Sequence, residues 1–197
     1  MSETAEATRT IDGIQAPGPG TWSIDPAHTT IGFVARHMMV TKVRGHFGSF
    51  AGQIRVDEDA LASSVEMDIE AGTITTGNDM RDRHLVSPDF LDVETFPTLS
   101  YRSTRLERTG GNRFRLHGDL TIKDVTRPVT LDVEYEGIVP DLRGGTRMAF
   151  SASAEIDREE FGITWNVALE GGGVLVSKKV KLEIEVAAVL AAGEQAA

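Results

Sequence analysis

Histidine and acidic side chains are the groups in this chain that could support acid–base chemistry or bind a metal. The chain has five histidines and no cysteine, which excludes thiolate chemistry and cysteine metal sites. No two histidines show the i, i+2 or i, i+4 spacing that chelates a metal, so the sequence predicts no metal site. The histidines are His28, His37, His46, His84 and His117.

Two short pairs could orient a histidine as a general base. Asp82 precedes His84 by two residues, and Asp25 precedes His28 by three. The same pairs could instead cap helices or close turns. No phosphate-binding glycine loop, nucleophile elbow or kinase signature accompanies them. Nothing here argues for an enzyme, and we expect His84 to be structural or gating.

Two basic segments stand out in a chain whose net charge is −10. The segment from Arg36 to His46 contains no acidic residue, and a second run surrounds His84. They form either solvated surface or an electropositive rim for an anionic head group. The overall charge argues against nucleic acid, or an anionic membrane surface, as the main partner. The residues expected to flank the mouth of a pocket are Arg36, His37, Arg44, Arg81 and His84.

Large apolar side chains lie beside both basic segments and on the alternating strands. They form either an ordinary core or the lining of a cavity, because a barrel of about eight strands can fill its interior or hold one small ligand. Methionine and phenylalanine suit such a lining. The candidate ligand-binding residues of this kind are Phe33, Met38, Met39, Phe47, Phe50, Met67, Phe90, Phe96, Leu120, Leu131 and Phe150.

Most of the chain alternates apolar and polar residues, as half-buried strands do. From Ser64 to Ala71, for example, apolar residues alternate with acidic ones. About eight such segments predict an all-β fold, either an antiparallel sheet closed on itself or a sandwich. Glycines at inward positions (Gly32, Gly52 and Gly118) favour the strongly curved barrel.

The segment from Thr76 to Leu91 breaks this alternation. Asn78 or Asp79 can cap the start of a helix, and Ser87-Pro88 ends it. The sequence therefore predicts a short helical insertion in an all-β chain. Such an insertion could lie across the open end of a barrel as a lid.

The 197 residues suffice for one domain, which we place at residues 21–190. The breaker-rich residues 1–20 predict a disordered arm, and residues 191–197 a frayed tail. Residues 1–20 include Glu3, Glu6 and Asp12 and no long apolar run, a composition unlike that of a signal peptide or membrane anchor. We therefore expect a cytoplasmic protein.

Several short motifs resemble the YceI-like family in both order and spacing, across about residues 21–188. They include Asp25–Thr29 (DPAHT), Gly45–Phe47 (GHF), Asn78–Leu85 (NDMRDRHL), Gly118–Pro128 (GDLTIKDVTRP) and Glu160–Gly162 (EFG). The resemblance implies an extended lipocalin-like antiparallel β-barrel of about eight strands with a short helical insertion. Family members often carry a signal peptide, and this chain departs from that pattern.

The resemblance also implies a homodimer that holds a long-chain amphiphilic lipid, such as a polyisoprenoid, and needs no other cofactor. The ligand stays open among prenyl diphosphates, quinones, and fatty acids or their amides. A carrier of this kind would meet a membrane transiently for lipid exchange. Two alternatives are a lipid-modifying hydrolase or isomerase that uses His84 and Asp82, and a stress-related interaction module whose pocket is simply core.

Overall fold

The structure, a computed structural model, describes residues 7–11, 13–141 and 145–190. It contains thirteen strands and one short α-helix, α1 (Asp79–Leu85). The strands are β1 (Thr8–Ile11), β2 (Ile14–Pro17), β3 (Gly20–Ile24), β4 (Thr30–His37), β5 (Thr41–Phe47), β6 (Phe50–Val56), β7 (Ser64–Glu70), β8 (Ile74–Thr75), β9 (Thr98–Gly110), β10 (Arg113–Ile122), β11 (Val125–Pro140), β12 (Thr146–Asp157) and β13 (Val176–Leu190).

The sheet closes on itself as an eight-stranded antiparallel barrel. Its strands pair in the order β3, β6, β7, β9, β10, β11, β12 and β13, and β13 also pairs with β3. After a short break, β4 continues the line of β3. Strand β5 leads in the same way into β6, so that β4 and β5 extend one side of the barrel. The structure thus confirms the predicted barrel over the sandwich.

Alternation along each strand places the core inside the barrel. In β10, Leu116, Leu120 and Ile122 are buried whereas Arg115 and Asp119 are exposed. Successive side chains of a strand point to opposite faces, so one parity faces the interior. Each fully buried leucine or isoleucine contributes about 1.5–3 kcal/mol relative to an exposed one.

Gly118 allows one aromatic ring to cross the inner face of β10. A Cβ atom at this position would lie 2.5 Å from Cζ of Tyr101 and 2.7 Å from the carbonyl oxygen of Arg102. The hydroxyl of Tyr101 passes over the glycine and donates to the carbonyl of Leu116 at 2.9 Å. The glycine is therefore required by close packing at a curved part of the wall.

The two ends of the barrel differ. The helix end carries α1, the β4–β5 turn and residues 158–175, whereas the opposite end carries β1, β2, the connection 57–63 and the β9–β10 turn. We name the latter the hairpin end. The helix end is filled with side chains, because Phe90, Phe161 and Ile163 are all buried there.

The helical insertion forms as predicted. The backbone N–H of Arg81 donates to Oδ1 of Asn78 at 3.0 Å, so Asn78 is the N-cap of α1. The chain after Ser87 forms successive turns rather than a second helix.

The buried side chain of Arg158 links two segments of the helix end. It is only 4% exposed, and it donates to the carbonyls of Ser177 at 3.0 Å and Ile163 at 2.7 Å. These bonds fasten residues 158–163 to the start of β13. Burial lowers the pKa of Arg158 from its ordinary value.

The N-terminal segment differs from the expected disordered arm. Strands β1 and β2 form an antiparallel hairpin in which Ile11 pairs with Ile14. Asp12-Gly13 between them is a recognised hairpin dipeptide, a signal that the breaker-rich composition obscured. Residues 1–6 and 12 of the arm, and the tail 191–197, lie outside the described residues.

A charged cluster holds the bend between β3 and β4. Arg147 on β12 donates to Asp25 at 2.5 Å and to Asp141 at 2.6 Å, and His28 lies 2.8 Å from Asp25. The hydrogen bond from Arg147, and then that from His28, lower the pKa of Asp25 from 3.8 to about 2.

Within the described part of the chain, no helix is long and apolar enough to cross a bilayer.

The Asp25 cluster predicts an acid-dependent loss of stability. Because the pKa of Asp25 is lower in the folded state, its stabilisation is complete above pH 3.8 and is lost as the pH falls towards 2. Arg147→Gln should lower the free energy of unfolding by about 2 kcal/mol at neutral pH, and the difference from wild type should shrink below pH 4. Urea denaturation from pH 7 to pH 2 measures both.

A half-exposed ion pair provides the control. Arg115 lies 3.7 Å from Asp132 on the outer face, so Arg115→Gln should cost about 0–1 kcal/mol. A constant difference between wild type and Arg147→Gln at all pH values would contradict the assignment.

Candidate ligand-binding cavity

The barrel encloses a cavity of about 630 Å³. This volume lies within the roughly 300–1,000 Å³ typical of small-molecule sites. All eight barrel strands contribute to its wall, almost entirely with apolar side chains. Its apolar lining includes Ile24, Ile31, Phe33, Phe47, Ile54, Met67, Ile69, Leu99, Leu116, Leu120, Ile122, Leu131, Val133, Phe150, Leu182, Ile184 and Val186.

The structure brings six of the candidate residues together on this wall. They are Phe33, Phe47, Met67, Leu120, Leu131 and Phe150. Phe50 is buried in the core at 8% exposure but lies outside the lining. Phe33 faces inward. Its ring lies directly over Gly45, where a Cβ atom would approach it within 2.3 Å.

The five candidate rim residues all lie at the helix end, but none of them lines the cavity. Arg44 pairs with Glu183 on the outer surface at 2.6 Å. Arg81 donates to the hydroxyl of Thr76 at 2.7 Å. Arg36 and His37 are exposed at the end of β4. Both basic segments therefore belong to the helix end, whereas the cavity lining reaches the hairpin end.

The remaining candidates also lie outside the lining. Met38 and Met39 are exposed in the β4–β5 turn. Phe96 lies under the ammonium group of Lys123, whose Nζ is 5.9 Å from the ring centroid. Phe90 packs against Trp165 with ring centroids 5.3 Å apart. These positions could not be assigned from sequence, because loops and turns place them.

His84 and Asp82 have different partners. Nε2 of His84 lies 2.8 Å from Asp89, and its ring packs edge-on against Phe90 and Trp165. Asp82 accepts bonds from Thr75 and Thr76 instead, and these bonds together lower its pKa although burial alone would raise it. Of the two possible base–orienter pairs, Asp82 with His84 does not form, because each side chain bonds to another partner. The pair of Asp25 with His28 does form, on the outside of the barrel.

The cavity reaches the hairpin end. Ile11 and Ile14 of the N-terminal hairpin line it, as do Leu61 and Arg108 of the barrel rim. Among the described residues, none from α1 or from 158–175 does so. The cavity thus has a floor at the helix end and a mouth at the hairpin end.

The hairpin covers this mouth through specific bonds. Arg9, which also lines the cavity, donates from Nη1 to the carbonyl of Glu58 and from Nη2 to that of Asp57, both at 2.7 Å. Tyr135 donates its hydroxyl to the carbonyl of Gln15 at 2.9 Å. Arg9 was not among the candidate residues, because the composition of residues 1–20 predicts a disordered arm.

Two tyrosine hydroxyls on the wall are neutral and already hydrogen-bonded, whereas the charged lining residues Arg9, Glu58, Asp59 and Arg108 lie at the hairpin end. The hydroxyl of Tyr101 donates to a backbone carbonyl, as does that of Tyr135. Burial raises the pKa of Tyr135 to about 12, and the pKa of Tyr101 also rises above its ordinary value. Away from the hairpin end, the wall therefore presents an uncharged, apolar surface. Among the described residues, no group of three or more histidine or acidic side chains could hold a metal ion.

Comparison with known proteins agrees with this architecture. The YceI-like domain family matches residues 22–188. A UPF0312 protein of Staphylococcus aureus is 34% identical over 164 residues, which cover 82% of this chain and 93% of that protein.

Solved structures share the fold. The BcnA protein of Burkholderia cenocepacia superposes with a TM-score of 0.71 at 23% identity, covering 83% of this chain and 98% of its own. A polyisoprenoid binding domain from Saccharophagus degradans gives a TM-score of 0.63 at 13% identity, with coverage of 86% and 98%. The family match spans residues from all eight barrel strands, and the chain belongs to the YceI-like domain family.

Proposed function

We propose that the protein binds one long-chain amphiphilic lipid, of the polyisoprenoid type, in the barrel interior and acts as its carrier. The observation that carries this proposal is the apolar cavity of about 630 Å³ that runs from the helix-end floor to the hairpin end. A solved relative in fold is described as a polyisoprenoid binding domain, which supports the ligand class. Prenyl diphosphates, quinones and fatty acyl compounds share the long apolar chain that this wall suits.

Burial of the chain would supply most of the affinity. Each buried CH₂ group contributes ~0.8 kcal/mol, so one isoprene unit contributes roughly 3–4 kcal/mol before ordering costs. An exposed ion pair to a head group adds about 0–1 kcal/mol. The protein should therefore select for the chain and tolerate different head groups. We place the chain towards the floor and the head group at the mouth, near Arg9 and Arg108.

A carrier is favoured over a hydrolase or isomerase because the proposed catalytic pair does not form. His84 bonds to Asp89, Asp82 bonds to two threonines, and neither lines the cavity. A prenyl diphosphate incubated with the protein should be recovered unchanged. Turnover that His84→Ala abolishes, with fold and ligand retained, would establish the enzyme instead.

We carry forward three further expectations as part of the proposal: the homodimer, the cytoplasmic location and the transient membrane encounter. Sedimentation velocity and cell fractionation test the first two.

A bulky side chain inside the cavity should displace the ligand. Ala152 lines the cavity on β12, and Ala152→Phe would occupy the space of at least two methylene groups. We expect the affinity for dansylated geranylgeraniol to fall by about tenfold or more. Fluorescence titration measures the change.

The adjacent residue supplies the matched control. Ser153 follows Ala152 on the same strand, so its side chain points to the outer face. Ser153→Phe should leave the affinity within about twofold of wild type, as surface substitutions usually do. Equal affinities for both variants, with both folded, would mean that the lipid binds elsewhere.

The hairpin should slow ligand release. Arg9→Ala removes two hydrogen bonds to the rim, and Tyr135→Phe removes one while keeping the ring in the wall. Because a hydrogen bond to a charged group contributes about 1.5–3 kcal/mol, Arg9→Ala should speed release by about tenfold or more. Stopped-flow transfer of the dansylated lipid to vesicles measures the rate.

Arg55 is the control for this experiment. It is an exposed arginine on the outer face of β6, so Arg55→Ala should not alter release. If Arg9→Ala, Tyr135→Phe and Arg55→Ala all release lipid at the wild-type rate, the hairpin is not a cover.

A further inference from the structure

The turn between β4 and β5 extends past the rest of the sheet at the helix end. Strand β5 pairs with β8 only at His46 and Phe47, whereas its pairing with β4 continues to Thr41. The backbone N–H of Met38 donates to the carbonyl of Leu175 at 2.7 Å, which fixes the base of the turn. We name residues 36–42 the tip. No residue of the tip lines the cavity, so lipid binding does not account for it.

The tip places two methionines in an unfavourable backbone conformation. Met38 has φ 51° and Met39 has φ 60°, and they are the central residues of a turn closed by a bond from Val40 N–H to the carbonyl of His37 at 3.1 Å. Turns with two positive φ values favour Asn-Gly, because a Cβ atom is crowded there. Packing does not compensate, since Met38, Met39 and Val40 are 48%, 52% and 78% exposed.

Charge adds a second local conflict. Arg36 lies directly opposite Lys42 in the β4–β5 register, and like charges in that position repel each other. Neither residue has an ion pair with any other described residue. From Arg36 to Phe47 the chain contains no acidic residue, although its net charge is −10.

The tip is thus locally unfavourable in three respects: its turn conformation does not suit methionine, its apolar side chains are exposed, and two like charges lie opposite each other. Such coincidences are expected where function, rather than folding, selects the residues. Charges on an edge strand can discourage pairing with another sheet, but that role does not explain the apolar turn beside them.

We propose that the tip docks the protein onto the surface of an anionic lipid bilayer. Met38, Met39 and Val40 would enter the headgroup–acyl boundary, and Arg36 and Lys42 would contact the anionic head groups. Apolar side chains flanked by basic ones are the combination that binds such surfaces. The same contact would relieve both conflicts, because the apolar turn would be buried and the opposed cations would gain counter-charges. The negative charge of the whole chain keeps such docking weak and confined to the tip.

Docking and lipid release would be separate steps. The tip lies at the helix end and the mouth at the hairpin end, so a docked protein presents its mouth to the aqueous side. The inference rests on the proposed function in one respect only: the purpose of docking would be to hold a lipid carrier at a membrane. Vesicle binding tests the tip and dansylated-lipid titration tests the cavity, so either can fail alone.

The decisive variant is Met38→Asn with Met39→Gly. This pair supplies the dipeptide that the turn prefers, so the folded protein should be at least as stable as wild type. It also removes two apolar side chains, so partitioning to phosphatidylglycerol–phosphatidylcholine vesicles should fall by about tenfold or more. Arg36→Gln with Lys42→Gln should weaken partitioning as well, most clearly at low salt. Vesicle co-sedimentation and thermal unfolding measure these effects.

Controls come from the hairpin end. Val139 is 56% exposed there, so Val139→Thr should not change partitioning. Arg113→Gln with Arg115→Gln changes the net charge by the same amount and should also have no effect. Wild-type protein that fails to bind the anionic vesicles, or a Met38→Asn, Met39→Gly protein that binds them as wild type does, overturns the proposal. A wild-type dimer that this double variant converts to monomer, without vesicle binding, would show that a second copy covers the tip.

Discussion

The pairing of β13 with both β12 and β3 closes the sheet, and the other features of the molecule depend on that closure. Once the ring is closed, one side-chain parity of every strand must share a single interior. Apolar residues on all eight barrel strands meet this requirement, and they leave a cavity rather than filling the space. At Gly118, the absence of a side chain on one strand admits the ring of Tyr101 from the neighbouring strand.

Closure removes the long edges of the sheet but leaves two ends of the barrel, and these ends differ in structure. At the helix end, Phe90, Phe161 and Ile163 are buried, and Arg158 binds residues 158–163 to β13. At the hairpin end, β1 and β2 cover the cavity through a few polar bonds and small apolar contacts. The packed helix end and the hairpin at the opposite end thus make the two ends of the cavity different. The family match begins at residue 22 and so does not include β1 and β2.

The sequence predicted those features that depend on local periodicity. Alternation in Ser64–Glu70 and in Arg113–Ile122 identified the inner faces of β7 and β10, and Asn78 identified the start of α1. It did not predict which end of the barrel opens, because that depends on where distant loops fold back. The same limit explains His84, whose partner is Asp89 rather than the nearer Asp82. The N-terminal hairpin was missed for another reason: its strands are short, and proline and glycine follow them.

The central claim is that the barrel interior holds a long apolar chain. Native mass spectrometry of the purified protein, followed by organic extraction and identification of the released compound, tests it most directly. We expect a complex heavier than the bare chain by one long-chain amphiphile, which extraction releases unchanged. It also predicts that the Ala152→Phe protein carries much less of that compound while the Ser153→Phe protein carries as much as wild type. A wild-type protein that purifies at the mass of the bare chain, and gains no mass when geranylgeraniol is added, would contradict the account.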